Sequence, residues 1–276
     1  MAKIHPTAIV DPKAEFAQDV EIGAYCIIKG NVIIGPGTVV QEHSHLHGHT
    51  VIGRNCKIGP AAYLGLPPQH LKYAGEPTSL VIGDDVTIRE LATLHRSMTV
   101  GLDHATRVGD HCFLMGACHV AHDCQVGPHA ILANAVLLGG HVTVGANAFL
   151  GGGSVYHQFV RIGRLVVVCG GDAIPHDVPP FAACRYQVLR GYNSVGCRRA
   201  GLSRDAIRAI RQTYHCLHEN RSTTQVLLAA IAEKVPDSPE VREIVDFLKS
   251  TKRGIVPSYK SPRTPGADGN IEDDAS

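Results

Sequence analysis

The chain has 276 residues, of which 44% are hydrophobic, and a formal net charge of +1. The apolar content excludes a disordered chain, and no apolar run approaches the ~18 residues of a membrane span. The near-zero charge argues against nucleic acid as the main partner. Because the N-terminus lacks a signal-peptide core and the nine cysteines are an odd number, we expect reduced thiols in a cytoplasmic protein.

An apolar residue recurs every six residues along most of the chain. The first series has eleven members and no polar interruption: Ile4, Val10, Phe16, Ile22, Ile28, Ile34, Val40, Leu46, Ile52, Ile58 and Leu64. The pattern resumes at Ile82, slips by two before Val108 and then continues to Ile174. A six-residue unit fits one short strand and a turn, which predicts a parallel β-helix whose coils hold 18 residues.

Two other positions of the repeat carry small residues. The residue after the apolar marker is often glycine, and we expect the chain to turn a tight corner there. The fourth residue after the marker is usually small and takes five of the nine cysteines: Cys26, Cys56, Cys112, Cys118 and Cys124. We predict that these cysteines fill the core and are neither metal ligands nor nucleophiles.

Two loops interrupt the repeat, at residues 65–79 and 101–107. Loops inserted into a solenoid commonly carry its function, which makes both loops candidates for a binding site. The repeats end near Ile174, so the β-helix is predicted over residues 1–180.

The remainder of the chain has helical patterns. Ser203 and Ser238 each precede an amphipathic segment and are predicted N-caps, which indicates a small α-helical domain over residues 181–256. The second of these segments is expected to stop at Gly254. We predict a disordered acidic tail over residues 257–276.

Histidines near the middle of the chain form a pattern in the 18-residue period. From His122 the period predicts stacked positions at 140 and 158, and His141 and His157 lie within one residue of them. His119 lies half a repeat before His122. An imidazole is a suitable general base at neutral pH, and Asp123 could orient His122, although strand alternation argues mildly against that contact.

The repeat resembles that of the hexapeptide-repeat acyltransferases, a superfamily that folds as a left-handed parallel β-helix and forms homotrimers. A narrower resemblance, over residues 4–256, is to the UDP-N-acetylglucosamine O-acyltransferases. The residues that carry it are LKYAGEPT at 71–78, HVAHDC at 119–124, ILAN at 131–134, VYHQF at 155–159, DVPPF at 177–181 and RRAGLS at 198–203.

This resemblance implies transfer of an (R)-3-hydroxyacyl chain from acyl carrier protein to the 3-hydroxyl of UDP-N-acetylglucosamine, the first step of lipid A synthesis. It implies His122 as general base and the Gly140 amide as oxyanion donor, with Asp123 beside the base. Gly170 falls at the position that limits acyl length. It also implies substrate-binding positions at Gln69, Lys72, His141, Gln158, Asn193 and Arg199, to which the histidine pattern adds His119 and His157. No metal and no other cofactor is required.

Three positions differ from the family pattern. His70 and Val195 replace acidic residues, and Ala200 replaces a basic one. These differences leave open an altered nucleotide affinity or a modified acceptor, such as the 3-amino analogue of the sugar. A basic segment, residues 161–211 with nine arginines against three aspartates, suits an acidic carrier protein and a diphosphate.

Three other functions stay open at this point. One is the related N-acyltransferase of the same pathway, although repeats here begin at Ile4, where that enzyme has an additional N-terminal domain. Another is a β-helix zinc carbonic anhydrase, favoured by the histidines. The last is a scaffold without catalysis. A second histidine cluster, HSHLHGH at 43–49, fits solvated side chains better than metal ligands, which must converge.

Overall fold

The structure, a computed structural model, describes residues 1–219 and 224–258. Its main part is a left-handed parallel β-helix of triangular cross-section, whose three sides are sheets of 11, 9 and 8 strands, parallel except for the final antiparallel pair Ala182–Arg185 and Val188–Tyr192. This confirms the parallel β-helix expected from the six-residue repeat and the left hand implied by the family resemblance. In the described part of the chain, none of the helices has the length and hydropathy needed to cross a membrane.

The strands are short and follow one another around the three sides. The first sheet contains Lys3–Ile4, Glu21–Ile22, Val39–Val40, Lys57–Ile58, Thr87–Ile88, Phe113–Leu114, Ile131–Leu132, Phe149–Leu150, Val167–Val168, Ala182–Arg185 and Val188–Tyr192. The second contains Ile9–Val10, Ile27–Lys29, His45–His47, Tyr63–Leu66, Thr93–His95, His119–Val120, Leu137–Leu138, Val155–Tyr156 and Ala173–Ile174. The third contains Glu15–Phe16, Val32–Ile34, His49–Ile52, Ser79–Ile82, Thr106–Val108, Gln125–Val126, Thr143–Val144 and Arg161–Ile162.

Strand register locates the two interruptions of the repeat. Paired residues are 18 apart in regular coils, as in Leu132 with Leu150. The separation rises to 30 between Tyr63 and Thr93, because extra residues leave the helix between Leu66 and Ser79. It is 26 between Thr93 and His119, because a second loop between His95 and Thr106 leaves the coil and contains a short 3₁₀ turn, Leu102–His104.

The apolar markers form the core. Members of the repeat such as Ile58, Leu94 and Leu132 are completely buried, because every sixth side chain points to the axis of the helix. The outward neighbours on the strands stay partly exposed. A narrow interior filled by aliphatic residues has no space for tryptophan, and the chain has none.

The glycines after the markers do not form the corners, which corrects our expectation. A Cβ on Gly127 would lie 2.8 Å from the backbone nitrogen of Ala146 in the next coil, so glycine is needed there for close approach. The left-handed corner comes two residues later, at His129 with φ 58°. Corners of this kind favour Asn, Asp and His, the non-glycine residues that adopt positive φ most readily. This accounts for His43, His111, His129 and His141 among the 17 histidines.

The five cysteines of the repeat are buried, as predicted, and all nine cysteines of the chain are free. The thiols also donate to backbone carbonyls, for example Cys112 to Gly127 at 3.2 Å and Cys124 to Gly139 at 3.1 Å. Burial raises the pKa of Cys112 to about 11 and that of Cys124 to about 12. These thiols therefore remain protonated and unreactive at neutral pH.

Four helices follow the last strand: α1 at Ser194–Arg199, α2 at Arg204–Glu219, α3 at Thr224–Lys234 and α4 at Pro239–Ser250. Both predicted N-caps are confirmed, because Ser203 Oγ accepts from Ala206 N and Ser238 Oγ accepts from Val241 N. The last helix ends at Ser250, before the expected stop at Gly254. The tail predicted over residues 257–276 lies outside the described residues from 259 onward.

A buried carboxylate joins the helices to the end of the β-helix. Asp177 is 2% exposed and accepts hydrogen bonds from the Arg161 amide, the Arg161 guanidinium and the Thr251 hydroxyl, at 2.8–3.0 Å. The same guanidinium donates to the Phe247 carbonyl on α4 and lies over the Phe247 ring. On α2, the fully buried Tyr214 donates to the Pro180 carbonyl at 2.6 Å.

Replacing Asp177 by alanine tests this junction. We expect the free energy of unfolding to fall by about 3 kcal/mol, because the substitution leaves Arg161 and the Thr251 hydroxyl without their acceptor. Chemical denaturation measures the change. The control is Asp205→Ala, whose carboxylate is 85% exposed and pairs with Arg208, and which should change stability by less than about 0.5 kcal/mol. Equal effects of the two substitutions would contradict the assignment.

Candidate active site

The centre of the site is a histidine bonded to the aspartate that follows it. Nδ1 of His122 lies 2.7 Å from Oδ2 of Asp123, and the two side chains are 10% and 11% exposed. An ionised carboxylate can only accept, so Nδ1 of His122 carries the proton. The Nε2 atom of the neutral ring is then left with a free lone pair, which is what a general base requires.

The corner of the coil makes this contact possible. Asp123 has φ 60°, a left-handed conformation, and is not part of a strand, so alternation does not apply and its side chain returns to the neighbouring ring. The mild objection from strand alternation was therefore wrong. The carboxylate accepts the Met98 amide at 3.1 Å, and the Asp123 amide donates to the buried Thr106 hydroxyl at 2.8 Å. Both partners belong to the second loop and the strand that follows it.

Gly140 faces the other side of the His122 ring. A Cβ at this position would lie 2.7 Å from Nε2 of His122 and 2.6 Å from its Cε1. Any larger residue would therefore displace the ring or cover its free nitrogen. The glycine keeps open the space into which the base would accept a proton.

His141 lies beside the pair, on the corner of the next coil. Its Nε2 atom is 3.6 Å from Asp123 Oδ2, and its ring meets the His122 ring edge-on with centroids 5.2 Å apart. Burial lowers the pKa of His141, although the charge of Asp123 acts in the opposite direction. Its backbone amide donates to the His122 carbonyl at 3.0 Å, which fixes the spacing of the two coils.

The third member of the expected histidine column is replaced by an aromatic ring. Phe159 occupies the next corner and stacks on His141 with centroids 4.5 Å apart. His157 precedes this corner, is exposed, and has its Nδ1 atom 3.0 Å from the Gln158 carbonyl. The period places residue 159 above 141, so the column of three imidazoles was a wrong inference from a one-residue mismatch.

His119 and His95 form a second pair of rings on adjacent strands of the second sheet. Their centroids are 5.3 Å apart, and His119 Nδ1 lies 2.8 Å from the Thr93 hydroxyl. Burial, followed by repulsion from His95 and His122, lowers the pKa of His119 to about 4. Nδ1 of His95 donates to the Pro67 carbonyl at 2.6 Å, which ties this strand to the first loop.

The first loop brings a fifth imidazole to the site, after those of His122, His141, His119 and His95. The His70 ring meets the His122 ring edge-on, with centroids 5.4 Å apart. Sequence reasoning marked His70 only as a difference from the family pattern and gave no signal for this contact. Gln69 and Lys72 lie on either side of it and are exposed, and the Lys72 amide donates to His70 Nδ1 at 3.2 Å.

The other predicted binding residues lie apart from His122 within one chain. Gln158 is exposed and lies two coils away from residue 122, which is about 10 Å. Gly170 lies at another corner of the helix. Asn193 caps α1, with its side chain accepting from Gly196 N and donating to the Leu165 carbonyl, both at 2.8 Å. Arg199 is exposed at the end of α1.

The donor atoms of His122, Asp123 and His141 lie within 4.8 Å of one another, close enough for a metal ion. In the structure the His122–Asp123 distance is that of a direct hydrogen bond. In the second cluster, residues 43–49, His43 is exposed and the other three histidines are half-buried, so all four still reach the surface. The rings of His45 and His47 stack at 6.1 Å, and His45 contacts the ring of Tyr63.

Comparison with known proteins gives the chain a family. Residues 177–256 match the sequence model described as UDP-N-acetylglucosamine O-acyltransferase, domain 2, and residues 31–65 match the bacterial transferase hexapeptide model. The acyl-[acyl-carrier-protein]--UDP-N-acetylglucosamine O-acyltransferase of Halorhodospira halophila is 44% identical over 258 residues, which are 93% of this chain and 100% of that protein. The chain belongs to the UDP-N-acetylglucosamine O-acyltransferase family.

Solved structures of members of this family are similar to this chain over more than nine-tenths of its length. The LpxA structure from Acinetobacter baumannii has a TM-score of 0.87 and 40% identity, covering 92% of this chain and 99% of that one. The UDP-N-acetylglucosamine O-acyltransferase of Moraxella catarrhalis has a TM-score of 0.86 and 38% identity, with the same coverage. The family resemblance found in the sequence is thus confirmed from both sequence and structure, and it favours neither the anhydrase nor the scaffold.

The lowered pKa of His119 is open to direct measurement. We expect its ring to remain neutral down to about pH 4, whereas an unfolded histidine protonates near 6.5. Since the unfolded chain binds more protons between these values, His119 should reduce stability as the pH falls from about 6.5 to about 4. NMR titration of the ring, assigned by its loss in His119→Gln, gives the midpoint. A midpoint near 6.5 would contradict the burial argument.

Proposed function

We propose that this protein transfers an (R)-3-hydroxyacyl chain from acyl carrier protein to the 3-position of UDP-N-acetylglucosamine, the first step of lipid A synthesis, with His122 as the general base. The observation that carries the proposal is the orientation of His122: Nδ1 is bonded to Asp123, and Nε2 faces the space beside Gly140. The named relatives catalyse a reaction of this class.

The chemistry follows from this geometry. Nε2 of His122 accepts the proton of the sugar hydroxyl while that oxygen attacks the thioester carbonyl, and Asp123 stabilises the imidazolium that forms. The Gly140 amide donates to the oxyanion of the tetrahedral intermediate. When the carbon–sulfur bond breaks, the thiolate of the carrier protein leaves and takes the proton from His122. Acyl ester and free thiol are formed, and the base returns to its neutral state.

The substrate-binding residues fall into three groups under this proposal. Gln69, Lys72, His119 and His141 surround the base, where a sugar ring would lie. Gln158 and His157 continue along the same edge of the helix. Asn193 and Arg199, in the basic segment, would bind the nucleotide. For Asn193 the side-chain amide already caps α1, so its contribution to the nucleotide is more indirect than the family pattern implies.

We propose that the protein acts as a homotrimer with sites between subunits. Leu137 and Val155, paired on adjacent strands of the second sheet, are 43% and 37% exposed and form an apolar outer face next to His119. Such a face suits a contact between copies of the chain. In such a trimer, Arg199 of one subunit could approach His122 of another. This would bring together two residues that lie apart within one chain.

The nine free cysteines support a reducing compartment, so we place the reaction in the cytoplasm. The predicted absence of a metal requirement stays a prediction. A zinc enzyme of the anhydrase type is the alternative that the grouping of His122, Asp123 and His141 favours. Metal analysis of the active protein separates the two.

Replacing His122 by alanine tests the general base. We expect turnover to fall at least 10³-fold, since the proton of the attacking hydroxyl would have no acceptor. The protein should stay folded, because the buried ring packs against His70, His141 and Gly140 and not in the aliphatic interior of the β-helix. Transfer is followed with a radiolabelled nucleotide sugar and hydroxyacyl carrier protein, and assembly by light scattering.

The matched control is His129→Ala, an exposed corner histidine on another edge of the helix. It should retain full turnover. Undiminished transfer by His122→Ala would refute the proposed mechanism and favour a scaffold.

Acyl length and acceptor are tested together. A Cβ on Gly170 would lie 2.9 Å from the Gly152 carbonyl, at a corner formed only of glycines in these two coils. We expect Gly170→Met to shorten the preferred acyl chain, because its side chain would fill this corner. The assay compares hydroxyacyl carrier proteins of several lengths against UDP-N-acetylglucosamine and its 3-amino analogue. An unchanged length preference in Gly170→Met would contradict the assignment, and faster transfer to the amine would identify the alternative acceptor.

A further inference from the structure

His70 is held against the general base by the way its loop is anchored. The His70 carbonyl accepts the Tyr73 amide at 3.0 Å, and its Nδ1 accepts the Lys72 amide at 3.2 Å. The neutral ring therefore carries its proton on Nε2. This tight turn fixes the ring in the orientation that meets His122 edge-on at 5.4 Å.

The strand beneath the loop holds this turn in place. His95 donates to the Pro67 carbonyl at 2.6 Å, and the Arg96 amide donates to the Leu66 carbonyl at 3.1 Å. The Arg96 guanidinium donates to the Tyr73 hydroxyl at 2.8 Å, and that hydroxyl donates to the Glu76 carbonyl. The start and the middle of the loop are thus bonded to the strand beneath it, which holds the segment that carries His70 in place.

The groups around the rings of His70 and His122 differ in charge and in their distance from His122. One carboxylate, Asp123, bonds directly to His122 and lies 3.6 Å from His141. Three other imidazoles, those of His141, His119 and His95, have lowered pKa values because of burial and add no positive charge at neutral pH. Lys72 and Glu76 are charged groups of the loop itself, and Arg96 lies beneath it.

We propose that His70 sets the proton affinity of His122. This inference rests on the proposed role of His122 as the base. A neutral ring at this position adds no second anion beside His122, and when His70 takes up a proton its positive charge opposes protonation of His122. A carboxylate in the same position would instead stabilise the imidazolium form of His122. His70 is a positioning residue that acts through His122.

Activity as a function of pH tests this role. The acidic limb of kcat/KM reports protonation of the free enzyme's base. We expect His70→Asp to move its midpoint upward by about one pH unit, since a carboxylate stabilises the His122 imidazolium. His70→Gln, which removes only the charge of protonated His70, should give an intermediate midpoint. Activity on the alkaline plateau should fall less than tenfold in both variants.

The control is His129→Asp, the same substitution at an exposed corner away from the site, which should leave the midpoint unchanged. Coincident midpoints for the wild type and both His70 variants would overturn the inference, even with reduced plateau activity, because a ring that only fills space does not move a pH midpoint. A different result would contradict the proposed function itself, namely full acyl transfer by His122→Ala. NMR titration of the His122 ring in His70→Asp gives the shift without turnover.

Discussion

The left-handed corner that closes each side of the coil is the constraint on which the site depends. A residue with φ near 60° must appear at each corner, and Asp and His adopt that conformation at less cost than most residues. The corner therefore selects the residue types that can also move protons. At Asp123 the same dihedral angle turns the carboxylate back to His122, so a requirement of the fold and a requirement of catalysis are met by one residue.

The fold could be predicted because a single rule repeats. An aliphatic residue every six positions leaves few alternatives, and neither the order of the strands nor the burial of cysteines such as Cys112 needed information from distant parts of the chain. The structural role of the glycines in the repeat was harder to predict. Sequence alone cannot separate a glycine that turns the chain from one that admits a neighbouring backbone, and Gly127 is of the second kind.

The site was predictable only where it follows the period. The period counted from His122 indicates residues 140 and 158: His141 lies one position after the first and contacts His122, whereas His157 lies one position before the second, and Phe159 stacks on His141 instead. The contact of His70 with His122 joins a loop to a coil across 52 positions of sequence. The six-residue period does not relate these two residues. An inserted loop does not follow the strand register that sets the positions of the coil residues. Its position depends on bonds from His95 and Arg96 that become visible only in three dimensions.

The distribution of thiols has a practical consequence. Eight cysteines are buried and Cys169 is exposed, so a maleimide probe would label the folded protein at one position, near the C-terminal end of the β-helix. The buried thiols of successive coils would react only when their own coil opens. Because each coil contacts mainly its neighbours, the order in which these thiols become reactive would map the local stability of the β-helix, from its exposed first coil toward the helices that cover the other end.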